Sequence, residues 1–191
     1  MFKLQPGDIV LIYRQRYKGP FSYLITRIIL FCTTDWWKKE PTSKVYHAEM
    51  VYEQIDDSNF RVIDMEPPKC RFKDRRFNRK VIFRLKNKPE WFDDAFYTYI
   101  LKYFGVKYDF VRFILFSLLW LFLGWNFLGK LFSKWFYKTK QSVCSVFVAR
   151  FYQYFIGIEC SIEDAEISTP DDICDYCVLH TEKFEKIFDS R

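Results

Sequence analysis

Gln141-Ser142-Val143-Cys144-Ser145-Val146-Phe147-Val148-Ala149-Arg150-Phe151-Tyr152 places a cysteine at the first turn of an amphipathic helix. Val143, Phe147, Phe151 and the Tyr154–Phe155 pair recur at helical spacing, and Ser142 is the expected N-cap. A thiol at that position sits at the positive end of the helix dipole, which favours the thiolate. The same stretch also suits a small apolar residue buried at a helix start, the usual fate of a free cysteine. What decides between the two is whether the rest of the chain supplies partners for a nucleophile.

The chain has 191 residues, enough for one domain with an ordinary core or one domain carrying an insertion. Half of it is hydrophobic and 21% is aromatic, which excludes a disordered chain. Six cysteines in this length do not make a small disulfide scaffold. Met1-Phe2-Lys3-Leu4-Gln5-Pro6-Gly7-Asp8 lacks the basic-then-apolar order of a signal peptide. Reduced thiols and a cytoplasmic or membrane-associated location are therefore expected. The net charge of +6 suits an anionic surface. Lys69, Arg71, Lys73, Arg75, Arg76, Arg79 and Lys80 form a basic cluster, but no nucleic-acid motif accompanies it, so a nucleic-acid partner is not expected.

Asp8 to Tyr13 is predicted as a short buried strand entered through the Pro6-Gly7 turn, and Phe21 to Phe31 as a helix. A polar loop from Thr33 to Ser43 carries Trp36 and Trp37. Tyr46 to Tyr52 and Phe60 to Met65 make a hairpin around Asp56-Asp57-Ser58-Asn59, and Pro67-Pro68 ends its second strand. Val81 to Leu85 extends the sheet. Pro89 to Phe104 is predicted helical, stopped by Gly105. Thr169-Pro170-Asp171-Asp172 is a helix-start signal, and Glu182 to Phe188 is a short terminal helix or strand.

Residues 110–137 differ in kind. From Phe113 to Leu128 there is no charged side chain, yet the run is shorter than the roughly 20 residues a spanning helix needs. Lys130, Lys134, Lys138 and Lys140 follow, interleaved with Trp135, Phe136 and Tyr137. This pattern suits a membrane-interfacial segment or a lid-like hydrophobic insertion.

A thiolate nucleophile needs a histidine to handle its proton and a polar group to orient that histidine. The chain has two histidines. His180 lies near the C-terminus. His47 opens the hairpin, where strand period two puts Asp64 and Glu66 on one face of the neighbouring strand, within reach. The candidate catalytic set is Cys144, His47, and Asp64 or Glu66, in the chain order His, acid, Cys.

That order resembles the permuted papain-like hydrolases, which include the NlpC-type, YiiX-like and lecithin:retinol acyltransferase types. Leu4-Gln5-Pro6-Gly7-Asp8-Ile9-Val10 is similar to the family's opening Pro-Gly-Asp strand. Tyr46-His47-Ala48-Glu49-Met50-Val51-Tyr52 is similar to its histidine strand. Val62-Ile63-Asp64-Met65-Glu66-Pro67-Pro68 resembles the strand bearing the third polar residue, with Asp64 in place of the family's His or Glu. Lys107-Tyr108-Asp109-Phe110 resembles the Tyr-Asp element, Val143-Cys144-Ser145-Val146-Phe147-Val148 the Cys-Ser helix, and Thr169-Pro170-Asp171-Asp172-Ile173 the closing segment. The apolar block departs from the pattern, since the family has a short connection there.

The resemblance implies an α+β, circularly permuted papain-like fold, with an antiparallel sheet packed on the cysteine helix and an apolar helical insertion. Residues 1–109 and 138–191 would form the catalytic domain and 110–137 the insertion. The implied activity is a thiol hydrolase without a cofactor. Cys144 would attack an amide in a peptide or peptidoglycan stem, His47 would carry the proton, and Asp64 would orient His47. Two alternatives stand beside it. One is a lipid acyltransferase or phospholipase, whose family members share a Pro-Pro after the acid strand. The other is a non-catalytic virion or membrane-interaction module of the same fold. Cys160, Cys174, Cys177 and His180 offer zinc-ligand types in no strong zinc spacing, so no metal is expected.

Overall fold

Both sides of the strand Ile9–Tyr13 (β1) are covered, which is why it is a continuous apolar run without alternation. Ile9 and Leu11 enter the large core beneath the helices, while Val10 joins Leu4, Val51, Phe60, Val62 and Ile82 in a smaller cluster. The computed structural model describes residues 3–13, 45–109 and 142–190, apart from 163 and 167. The predicted helix at 21–31, the loop at 33–43 and the insertion at 110–137 lie outside these described residues.

Five further strands complete the sheet: Val45–Gln54 (β2), Asn59–Glu66 (β3), Lys69–Arg76 (β4), Lys80–Leu85 (β5) and Phe184–Asp189 (β6). Their order is β4-β3-β2-β1-β5-β6, with every neighbouring pair antiparallel. Among the described residues, three α-helices accompany it: Phe92–Tyr103 (α1), Cys144–Arg150 (α2) and Pro170–Leu179 (α3). The chain is thus an α+β protein built on a six-stranded antiparallel sheet. Among the described residues, no helix is long and apolar enough to cross a membrane.

The β2–β3 hairpin turns where expected. The Asp56 carboxylate accepts the backbone N–H groups of Ser58 and Asn59 at 2.7 and 2.8 Å. Pro67-Pro68 ends β3 as expected. It is the turn into β4, which the sequence reading treats only as a basic cluster. Beyond the buried Cys70 that strand alternates, with Arg71, Lys73 and Arg75 half-buried and Phe72, Asp74 and Arg76 exposed. Charge concealed the period of two. The C-terminal segment 182–188, left as helix or strand, is the edge strand β6, paired with β5.

The helix starts follow their sequence signals unevenly. At α3, Thr169 and Asp172 form a reciprocal capping box with Pro170 in the first turn. At α2, the cap residue is Val143 rather than Ser142, and the Ser142 hydroxyl donates to the Val143 carbonyl instead. Beyond Arg150 the helix widens into a π-turn over Phe151–Ile156, which ends at Gly157 with φ 77°. Tyr152 in that turn donates to the Gly7 carbonyl at 2.6 Å. Tyr99 of α1 donates to the Phe147 carbonyl at 2.7 Å and packs its ring on Phe147, Phe151 and Phe155. The cysteine helix is thereby fixed to both α1 and the Pro6-Gly7 turn.

Candidate active site

His47 lies on β2 beside a β-bulge. Ile12 faces His47 but Tyr13 faces Val45, so Tyr46 is the extra residue. Bulges of this kind re-aim neighbouring side chains. On the next strand Met50 faces Ile63, which brings the following positions, Glu49 and Asp64, level with each other. Asp64 Oδ1 lies 2.7 Å from His47 Nε2. Asp64 is fully buried, and the His47 side chain is 12% exposed. Glu66 is two residues further along β3, and its carboxylate pairs with Lys73. Of the two acids offered by the sequence, Asp64 is the one hydrogen-bonded to the histidine ring.

Two charged residues not foreseen complete this layer. Glu49, fully buried, places Oε1 3.3 Å from His47 Nε2. Arg75 of β4 grips Glu49 with two nitrogens, Nε to Oε2 at 3.0 Å and Nη2 to Oε1, and its Nη2 also donates to Asp64 Oδ2 at 3.1 Å. Both had a signal. Glu49 is two residues from His47 and so shares its strand face. Arg75 belongs to the alternating charged set of β4.

Cys144 is the first residue of α2 and is nearly buried, at 6% exposure. The neighbouring Ser145 hydroxyl donates to the Ser168 carbonyl at 2.6 Å and ties the helix start to the segment entering α3. A backbone hydrogen bond from Asp109 to the Ser142 carbonyl, 3.0 Å, and a bridge between Tyr108 and Ser142 set the approach to Cys144. The flanks of the undescribed segment 110–141 therefore meet beside the thiol.

The Cys144 thiol stands close enough to the His47 ring to act on its charge. Nε2 is the ring nitrogen committed to Asp64. Burial by itself would drive the proton off His47. The charges of Asp64 and Cys144, with the hydrogen bond to Asp64, outweigh it and raise the ring well above the usual histidine range. Burial also pushes Glu49 up, but His47 and Arg75 overcome it and hold the carboxyl at about 2. At Asp64 burial raises, His47 pulls back and the charge on Glu49 pushes up again, leaving the group above the ordinary carboxylate range. Tyr108 faces the same centre; burial, reinforced by the charge of Cys144, keeps its phenol neutral.

The other candidate ligands and thiols lie elsewhere. His180 caps the end of α3, where it stacks on Tyr176 and pairs with Glu182 at 2.8 Å. Burial pushes Cys70 up to about 12 and raises Cys160 and Cys177 further. Among the described residues, the one trio of metal-binding types within ligating reach of each other is His47, Glu49 and Asp64. The Arg75 guanidinium bridges both of its carboxylates. The chain matches no family model, no curated protein and no solved structure.

Proposed function

We propose that the protein is a thiol hydrolase of the circularly permuted papain-like type, acting on an amide bond in a peptide or a peptidoglycan stem. The observation that carries the reading is the His47–Asp64 hydrogen bond with Cys144 near enough to act on the ring, assembled from a helix start and two adjacent strands. Cys144 Sγ attacks the carbonyl carbon, and its proton passes to His47. Negative charge develops on the carbonyl oxygen. Backbone N–H groups of the first turn of α2, which have no acceptor within the helix, are the donors available to it. As the C–N bond breaks, His47 returns the proton to the leaving amine and a thioester on Cys144 remains. Water then attacks the thioester, gives its proton to His47, and the thiol is restored. Asp64 keeps Nε2 protonated, so the other ring nitrogen serves the sulfur.

A second reading rests on the Asp109–Ser142 junction. It brings the ends of the segment containing the apolar run 113–128 to the side of Cys144. A lipid ester or a lipid acyl group is the substrate that would profit from such a neighbour. The same three residues would then perform acyl transfer or lipid hydrolysis, with a membrane surface as partner. The test is to incubate the full chain and its Cys144→Ser variant with muropeptides, peptides and phospholipid vesicles in parallel. Trapped Cys144 acyl adducts are read by mass spectrometry. Turnover of one class with a thioester on Cys144, lost in Cys144→Ser, supports the hydrolase reading and selects its substrate. Equal activity of both proteins on every class contradicts it.

A further inference from the structure

We infer that Arg75 is a positioning residue of this site, a clamp that holds Glu49 and Asp64 together and ionised against one nitrogen of His47. The inference rests on the thiol-hydrolase reading. Its observations are geometric. Two fully buried carboxylates, Asp64 at 2.7 Å and Glu49 at 3.3 Å, converge on His47 Nε2. Two buried carboxylates side by side repel, and one ordinarily takes up a proton. A protonated Asp64 would no longer hold an imidazolium, and the thiolate would lose its counter-charge. Arg75 reaches both carboxylates in the fork geometry that a guanidinium supplies and an ammonium does not.

The remaining charges around the ring do not replace it. Lys73, also from β4, lies 3.9 Å from Asp64 but is engaged with Glu66 of β3. Cys144 from α2, Tyr46 of β2 and the neutral Tyr108 also act on His47 and bring no cation; Lys80 of β5 acts on Glu49 but donates its ammonium to the Arg76 and Asn78 carbonyls. Burial raises Asp64 and the charge on Glu49 adds to it, the direction expected of a pair that needs a shared cation. Glu49 and Arg75 form a neutral unit. Removing Arg75 alone strands a like-charge pair, whereas removing both residues leaves Asp64 facing His47 without a rival.

The test is the pH dependence of Cys144 alkylation by iodoacetamide in the full-length protein, read by peptide mapping, with the thermal midpoint of each variant measured in parallel. Arg75→Met is expected to move the acid limb of the rate profile up by about one pH unit. The double variant Glu49→Gln/Arg75→Met is expected to return the limb to the wild-type position. Arg75→Lys is expected to displace it less than Arg75→Met and in the same direction, and it carries the test if Arg75→Met does not fold. An unmoved limb in the Arg75 variants, or a double variant displaced as far as Arg75→Met, overturns the inference; a purely structural Arg75 would make the double variant no better than the single. A wild-type profile indistinguishable from that of His47→Ala instead overturns the thiol-hydrolase reading, and the inference with it.

Discussion

At His47 one ring nitrogen meets two buried acids while Cys144 also acts on the ring's charge, so the charge state of this residue ties the site to stability. The histidine is raised in the folded chain. Its contribution is complete below the unfolded value, near 6.5, and is lost as pH rises through the raised folded value. Glu49 behaves in the opposite sense. Its ordinary value is 4.5 and the folded chain holds it at about 2, so its contribution is present above 4.5 and is lost as pH falls towards 2. Thermal unfolding between pH 2 and 5 is expected to show a shallower acid loss for Glu49→Gln than for wild type, and equal slopes would contradict the assignment. The His47–Asp64 contact was legible because the chain has two histidines and strand period two puts Asp64 opposite one of them. Glu49, two residues from the histidine on the same strand, was passed over as an ordinary strand residue. Arg75 was hidden in a run of like charges.

The elements show why the site holds its shape. The Pro6-Gly7 turn enters β1 with Gly7 at φ 81°. A Cβ there would stand 2.5 Å from the buried Phe92 ring of α1. The Gly7 carbonyl also receives the Tyr152 hydroxyl from the π-turn after α2. Gly7→Ala therefore combines left-handed strain with a collision, and is expected to cost about 2 kcal/mol or more in chemical denaturation. A loss within a few tenths would show that the turn is not a fixed point. Strand and helix periods made β1, β2, β3, β5, α1 and α3 readable. Two features resisted. β4 concealed its period behind charges that only a site beneath them explains. The cap of α2 was misread because the Ser142 hydroxyl bonds forward to the Val143 carbonyl, a local choice that no spacing encodes.

For the whole molecule, the order His47, Asp64, Cys144 becomes a site only because residues on either side of the segment 110–141 share one core. Ile9, Met50, Phe96, Phe147 and Phe184 belong to the same buried cluster. The cysteine helix is also fixed from below by a buried ion pair in which Arg150 binds Glu166 through Nε–Oε1 at 2.7 Å and Nη2–Oε2 at 2.6 Å. Glu166→Ala leaves a buried guanidinium without this partner and is expected to cost about 3–5 kcal/mol in urea unfolding; a change under about 1 kcal/mol would remove the pair from the account. The α+β class was what the family resemblance implied, and the antiparallel sheet with its helices bears that class out. The sequence did not foretell the strand order, which depends on long-range pairing between β1 and β5 and between β5 and β6. The central claim is that His47 activates Cys144. The most direct measurement is the rate of iodoacetamide labelling at neutral pH, resolved by cysteine, in wild type and His47→Ala. The account predicts that Cys144 is labelled ahead of Cys70, Cys160 and Cys177, and that His47→Ala slows its labelling by about a hundredfold or more. Labelling of Cys144 at the same rate in both proteins would contradict it.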